Sequence, residues 1–100
     1  MQIEIDSYII DVLMRGLVGH DRQPSAFLLY LFLYRITHGQ GRVRVQLALA
    51  DMAEQTGLSK RSVQDALAKL ERRKLLSIER SSITAIPWYT VLKPWIKREK

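Results

Sequence analysis

The stretch that decides the fold is LADMAEQTGLSKRSVQDALAKLERRKLL, residues 49–76. Two helices that cross steeply through a short turn need a small side chain where they touch, a flexible residue in the turn and a new cap on the second helix. Ala53, Gly57 and Ser59 stand at the intervals that meet these three needs. The spacing therefore predicts a helix-turn-helix.

The second helix of this motif has two distinct faces. Val63, Leu67 and Leu70 recur at helical intervals and are expected to hold the helix against the body of the protein. The opposite face is polar and basic, which is typical of a helix that enters a DNA groove or of an ordinary solvated surface. The residues predicted to face outward are Lys60, Arg61, Gln64 and Ala68.

The run MAEQTGLSKRSVQDALAKLERRKLL, residues 52–76, resembles the winged helix-turn-helix of bacterial GntR-like and MarR-like regulators and of the amino-terminal domains of plasmid and phage replication initiators. Two residues depart from that pattern. Lys74 stands where these families usually have glycine, so a left-handed helix stop there would cost about 1 kcal/mol. Ala48 stands where a serine or threonine usually caps the first helix of the motif.

The resemblance implies a mainly α fold with a small antiparallel β wing, an α+β winged helix-turn-helix. We expect one domain over residues 1–100, with helices at about 6–17, 24–38, 48–56 and 59–73 and a wing at about 76–92. Asp6 is expected to cap the first helix, and the alternation around Val43 and Val45 predicts a short strand. In the wing, Trp88 and Thr90 are expected on one face and Tyr89 on the other.

The second predicted helix is apolar nearly all the way round. A helix with no polar face must be covered on several sides. It is therefore either the central helix of a small core or a face shared with a second copy of the chain, in a homodimer formed through the first two helices. In the second case, aromatic residues such as Tyr30 and Tyr34 would be exposed on a lone monomer.

Charge is distributed unevenly along the chain, whose formal net charge is +6. Residues 60–100 carry eleven basic and four acidic side chains, or +7, whereas residues 1–59 carry five basic and six acidic ones, or −1. A basic carboxy-terminal half suits a polyanion, because contacts to phosphates release condensed counterions. Lysines and arginines that merely solvate helix surfaces would give the same count.

Composition excludes several other classes. Cysteine is absent, which excludes disulfides and thiolate metal sites and suits a reducing cytoplasm, with the bacterial nucleoid as the expected location. The longest apolar run, residues 26–34, is about half of what a bilayer span needs, and the acidic start does not resemble a signal peptide. No catalytic set, phosphate loop or metal-ligand spacing is present, so we expect no enzyme, cofactor, metal or small-molecule ligand.

The resemblance also implies which residues meet duplex DNA. Residues at the amino-terminal end of the second helix read bases in the major groove, which assigns that role to Lys60, Arg61, Gln64 and Ala68. Ser59 would cap this helix and contact a phosphate. The predicted contacts to the DNA backbone are Ser59, Lys69, Arg72, Arg73, Lys74 and Arg80.

The sequence leaves two rivals open. The loop of the wing contains Ile83, Ala85 and Ile86 and no basic residue, so the same fold would also serve as a protein-interaction module. Single-stranded or structured RNA is the other rival, because Trp88, Tyr89 and Trp95 would stack on bases if they were exposed.

Asp65 lies four residues from both Arg61 and Lys69. We expect it to pair with one of them and to orient Arg61.

Overall fold

The computed structural model describes residues 2–96, which form helices packed on one side of a small sheet. An N-terminal helical segment, residues 7–20, contains two π-helical runs, Ile9–Leu13 and Arg15–His20. The helices are α1 (Pro24–Ile36), α2 (Leu49–Thr56) and α3 (Lys60–Arg72), and the strands are β1 (Arg44–Gln46), β2 (Leu76–Glu79) and β3 (Trp88–Val91). The predicted class, mainly α with an antiparallel β wing, is confirmed.

The N-terminal helical segment differs from its prediction at both ends. The predicted stop near residue 17 is wrong, because the segment continues past Gly19 to His20. Its two π-helical runs end with i→i+5 bonds, in which the amides of Met14 and Asp21 donate to the carbonyls of Ile9 and Gly16. The helix continues through Gly16 and Gly19, so neither glycine ends it.

The expected side-chain cap by Asp6 is also wrong. Its carboxylate accepts hydrogen bonds from Trp95 Nε1 at 3.2 Å and from Lys93 Nζ at 3.4 Å, while its backbone carbonyl accepts from the amide of Ile9. Trp95 in turn stacks on Tyr8, with 4.7 Å between ring centroids. The start of the helical segment is thereby fastened to the chain that follows β3, which local sequence patterns do not reveal.

Helix α1 is the central helix of the core. Tyr30 and Tyr34 are buried, and the Tyr30 hydroxyl donates to the carbonyl of Leu92 at 2.8 Å. These aromatic side chains are therefore covered within a single chain, as expected for the central helix of a small core, whereas Leu28 of the same helix remains exposed. The helix ends at Ile36, before the predicted residue 38, because the hydroxyl of Thr37 turns back to the carbonyl of Leu33 at 2.7 Å.

The sheet is antiparallel with strand order β1-β3-β2, so the last strand lies in the middle. Tyr89 on β3 pairs with Val45 on β1 and Ile78 on β2, and all three project from the same face. The predicted alternation is observed: Tyr89 and Val91 are buried against the helices, whereas Trp88 and Thr90 lie on the more exposed face. The buried side chains of the sheet therefore pack the wing, β2 and β3, against α3.

Candidate DNA-binding interface

The turn between α2 and α3 is formed as the sequence predicted. Gly57 has a left-handed φ of +82°, and its amide donates to the carbonyl of Ala53 at 2.9 Å. The Thr56 hydroxyl accepts from the amide of Leu58 at 3.2 Å and donates to the carbonyl of Met52. Glycine adopts this conformation without a Cβ penalty, so the residue in the turn fixes how the two helices cross.

Ser59 caps α3. Its extended backbone lets its Oγ accept from the amide of Ser62 at 3.0 Å. The prediction of a cap is confirmed. By contrast, Ala48 gives α2 no side-chain cap, as its side chain requires. Helix α3, the helix predicted to recognise DNA, therefore has a side-chain cap at its amino-terminal end, whereas α2 has none.

The outward face of α3 is the one that the sequence predicted. Val63, Leu67 and Leu70 are buried, and Ala66 joins them in the core. Arg61 Nε lies 3.5 Å from Asp65 Oδ2, one helical turn away, with the arginine side chain 84% exposed. Such a pair adds little stability, but it limits the directions in which the guanidinium points. The exposed residues of this face are Lys60, Arg61, Gln64 and Ala68.

The structure places Lys69 and Arg73 away from that face. Lys69 Nζ lies 3.8 Å and Arg73 Nε 3.3 Å from Asp21 Oδ2. The Asp21 side chain is only 9% exposed, and its Oδ1 accepts from His20 Nδ1 at 2.9 Å. The hydrogen bond from His20 and the charges of Arg73 and Lys69 lower the pKa of Asp21 despite its burial.

These ion pairs give the two cations an intramolecular partner that the sequence did not indicate. They tie the carboxy-terminal half of α3 to the end of the N-terminal helical segment. Arg73 also lies over Gly16, where an added Cβ would come within 2.6 Å of its Nη2. Asp21 stood in a polar connection with no periodic signal, so only the tertiary structure reveals it as an anchor.

Arg72 and Lys74 remain exposed. Arg72 lines a surface cavity of about 360 Å³ together with Ser62, Asp65 and Ala68, so it lies on the same side of α3 as the predicted base-reading residues. Lys74, which stands where the resembling families usually have glycine, has a left-handed φ of +59°. The amides of Lys74 and Leu75 donate to the carbonyls of Glu71 and Leu70, which is the Schellman arrangement of a helix end.

The tip of the wing is apolar, and a basic residue, Arg80, lies where the wing loop begins after β2. Ile83 is 90% exposed, and Ile86 is also exposed. Arg80 Nη1 donates to the carbonyl of Ile83 at 3.4 Å, and Gln46 Nε2 donates to that of Ile86 at 3.0 Å. These two bonds shape the loop between β2 and β3. Arg80 thus lies beside the recognition helix rather than at the end of the wing.

The side chains considered for RNA stacking or for binding a metal ion make contacts within the protein. Arg44 lies 4.2 Å above the ring of Trp88 and 3.8 Å from Glu79, and Trp95 packs on Tyr8. The contacts of Arg44 with Trp88 and of Tyr8 with Trp95 each occupy one face of an indole ring, which reduces the aromatic surface available for base stacking. His38 Nε2 donates to the carbonyl of Val91 at 3.0 Å. Within residues 2–96, no group of histidine or carboxylate side chains is placed to hold a metal ion, and no helix is long and apolar enough to cross a bilayer.

The capped second helix, the short glycine turn and the antiparallel wing define a winged helix-turn-helix DNA-binding domain. Residues 25–88 match the Crp-like helix-turn-helix domain family. Since the match covers more than half of the chain, the chain belongs to this family. Domains of this family bind DNA and are not enzymes. The narrower resemblance to GntR-like, MarR-like and replication-initiator proteins is not confirmed by this match.

The match begins at the start of α1 and ends at the start of β3. The N-terminal helical segment and the residues after Trp88 lie outside it. Searches of curated proteins and of solved structures found no match. The anchors made by Asp6 and Asp21, which both lie before residue 25, are therefore features of this chain beyond the family match.

Proposed function

We propose that this protein binds specific sites on double-stranded DNA and acts as a bacterial regulator of transcription or as a component of replication control. The observation that carries the proposal is the exposed, capped amino-terminal face of α3, with Arg61 held by Asp65. An arginine reads guanine through its O6 and N7 and a glutamine reads adenine through its N6 and N7, each worth roughly 1–3 kcal/mol of discrimination. The partner proposed here places the protein at the nucleoid.

The proposed roles follow from the exposure of the side chains and from the ion pairs that Lys69 and Arg73 make with Asp21. Arg61 and Gln64 read bases, with Lys60 and Ala68 beside them, while Ser59, Arg72, Lys74 and Arg80 contact the DNA backbone. Lys69 and Arg73 act mainly by fixing α3 through Asp21. Bound protein then regulates by occupancy, because it blocks or recruits other machinery at its site.

Selection of bound duplexes from a random pool tests sequence specificity. The wild type is expected to enrich one motif, and the double variant Arg61→Ala, Gln64→Ala is expected to bind with a flattened preference. Arg15→Ala removes a cation from the N-terminal helical segment, outside the base-reading face of α3, and serves as the matched control. An unenriched wild-type pool contradicts specific recognition, and unchanged selectivity in the double variant contradicts the assignment of the reading residues.

Salt dependence separates DNA binding from the rival function. A domain that neutralises phosphates must lose affinity steeply as salt rises, whereas an apolar interface responds little. The exposed Ile83 and Ile86 favour a protein partner at the wing tip as the second candidate function. A flat or absent signal on random duplex DNA at two salt concentrations would favour that candidate.

We include a homodimer through the first two helices in the proposal. The N-terminal helical segment leaves Ile10, Met14 and Val18 exposed at a spacing of one turn, and α1 leaves Leu28 exposed. Exposed apolar side chains at this density often mark a partner surface. A palindromic selected motif and a dimer in sedimentation equilibrium would support it, while a monomer at all concentrations with an asymmetric motif would contradict it.

A further inference from the structure

A cleft of about 270 Å³ separates the recognition helix from the wing. Apolar side chains from α2, α3 and the wing form part of its lining, and polar groups come from α3, from the end of β2 and from β3. The lining residues are Leu49, Gln64, Leu67, Arg80, Pro87 and Tyr89. The cleft thus joins the predicted base-reading face to the base of the wing.

Tyr89 is the unusual residue of this lining. Its side chain is only 3% exposed, yet its hydroxyl makes no hydrogen bond to any part of the chain that the structure describes. In that part of the chain, Asp21 Oδ2 is the one side-chain polar atom that is both inaccessible to solvent and without a hydrogen bond. Because the Tyr89 hydroxyl also lacks a hydrogen bond but is not such an atom, it must be partly accessible to solvent. The cleft that it lines gives it this access. Buried polar groups are normally paired, so this hydroxyl is available to bind water or a ligand that enters the cleft.

The electrostatics of the cleft suit an anion. Burial raises the pKa of Tyr89, and the nearby positive charge of Arg80 opposes that rise. The hydroxyl is therefore protonated at neutral pH and able to donate, with a guanidinium charge close by. Arg80 uses one N–H for the carbonyl of Ile83, which leaves further donors of its fork for a ligand.

We infer that Arg80 and Tyr89 together hold one phosphodiester of the DNA backbone in this cleft, with the deoxyribose against the apolar lining. This inference rests on the proposed function and adds a residue to it, because Tyr89 is buried and was not predicted to contact DNA. A phosphate held there lies next to α3, because Gln64 lines the same cleft and belongs to the base-reading face. Tyr89 contributes affinity through the DNA backbone and does not read bases.

Tyr89→Phe tests the inference with little change of volume. It is expected to weaken binding about tenfold on every duplex, without changing sequence preference or the slope of affinity against salt, because the lost donor is uncharged. Arg80→Gln keeps a donor for the carbonyl of Ile83 but removes the charge, and it should reduce the salt slope by about 1. If both side chains hold one phosphate, the double variant loses less affinity than the product of the two single losses.

Tyr30→Phe is the matched control, because it removes a tyrosine hydroxyl that already donates to Leu92 within the core. It should lower stability without changing affinity in the folded protein. Duplexes in which single phosphodiesters are replaced by uncharged methylphosphonates then locate the contact. One replacement should weaken the wild type strongly and Tyr89→Phe or Arg80→Gln only slightly.

The outcomes separate two kinds of failure. If the wild type shows no salt-dependent binding to DNA, the proposed function itself fails. If the wild type binds DNA and Tyr89→Phe binds equally well, only the cleft inference is overturned. A Tyr89→Phe variant whose sequence preference changes also overturns it, because a backbone contact carries no base identity.

Discussion

Replacing Lys74 with glycine is expected to stabilise the protein, although it removes a side chain from the end of the recognition helix. Lys74 has a φ of +59° at the left-handed position of the Schellman motif. A left-handed conformation costs an L-residue roughly 1–2 kcal/mol. Glycine avoids that cost but loses about 0.4–1 kcal/mol through its greater freedom in the unfolded chain. The net gain should be about 0.5–1 kcal/mol, which raises Tm by about 2–8 °C for a chain of this size.

Urea titration and thermal melting measure this gain, and Lys74→Ala provides the control. Alanine removes the same charge and keeps the Cβ, so the strain remains and stability should stay close to that of the wild type. A Lys74→Gly variant no more stable than Lys74→Ala would refute the reasoning, because the left-handed backbone would then carry no measurable cost. Equal gains in both variants would point to charge repulsion instead.

The remaining predictions concern the cap, the buried anchor and the wing tip. Ser59→Ala should lower the free energy of unfolding by about 1 kcal/mol in urea titrations, because an amide of α3 loses its acceptor, and an unchanged midpoint would contradict the cap's contribution. Asp21→Asn should lower it by about 1.5–3 kcal/mol at neutral pH. Since the pKa of Asp21 is below its ordinary value of 3.8, its stabilisation is present above that pH and is lost as the pH falls through the folded value, so the variant should show a weaker loss on acidification. Matching acid profiles would exclude this role. Ile83→Ser should change neither stability, within about 0.5 kcal/mol, nor DNA affinity; a loss of affinity in a binding titration would mean that the wing tip contacts DNA.

Local patterns predicted the helix-turn-helix closely. The cap at Ser59 and the left-handed Gly57 follow from the conformational preferences of single residues. The left-handed helix end at Lys74 does not, because lysine disfavours that conformation, and only the resemblance to families with glycine there pointed to it. The predicted helix at 59–73 is observed as Lys60–Arg72, and the predicted wing contains Leu76–Glu79 and Trp88–Val91. Periodicity determines such features because the residues involved lie within one or two turns of each other.

The sequence did not predict contacts between distant charged and aromatic groups. Asp6 was expected to cap a helix and instead binds Trp95 and Lys93, and Asp21 pairs with Lys69 and Arg73. Neither carboxylate belongs to a periodic pattern that reveals its partner. The cleft beneath the wing was missed for the same reason, since the sequence placed Tyr89 only on the strand face opposite Trp88, and its unpaired hydroxyl is visible only in three dimensions.

The position of β3 between β1 and β2 also affects how the protein is made. Until residues 88–91 have left the ribosome, neither of the outer strands has its neighbour, although α2 and α3 are already synthesised. The nascent chain therefore carries its recognition helix before the sheet that holds it exists. The complete DNA-binding domain forms only when β3, the last strand, pairs with both β1 and β2.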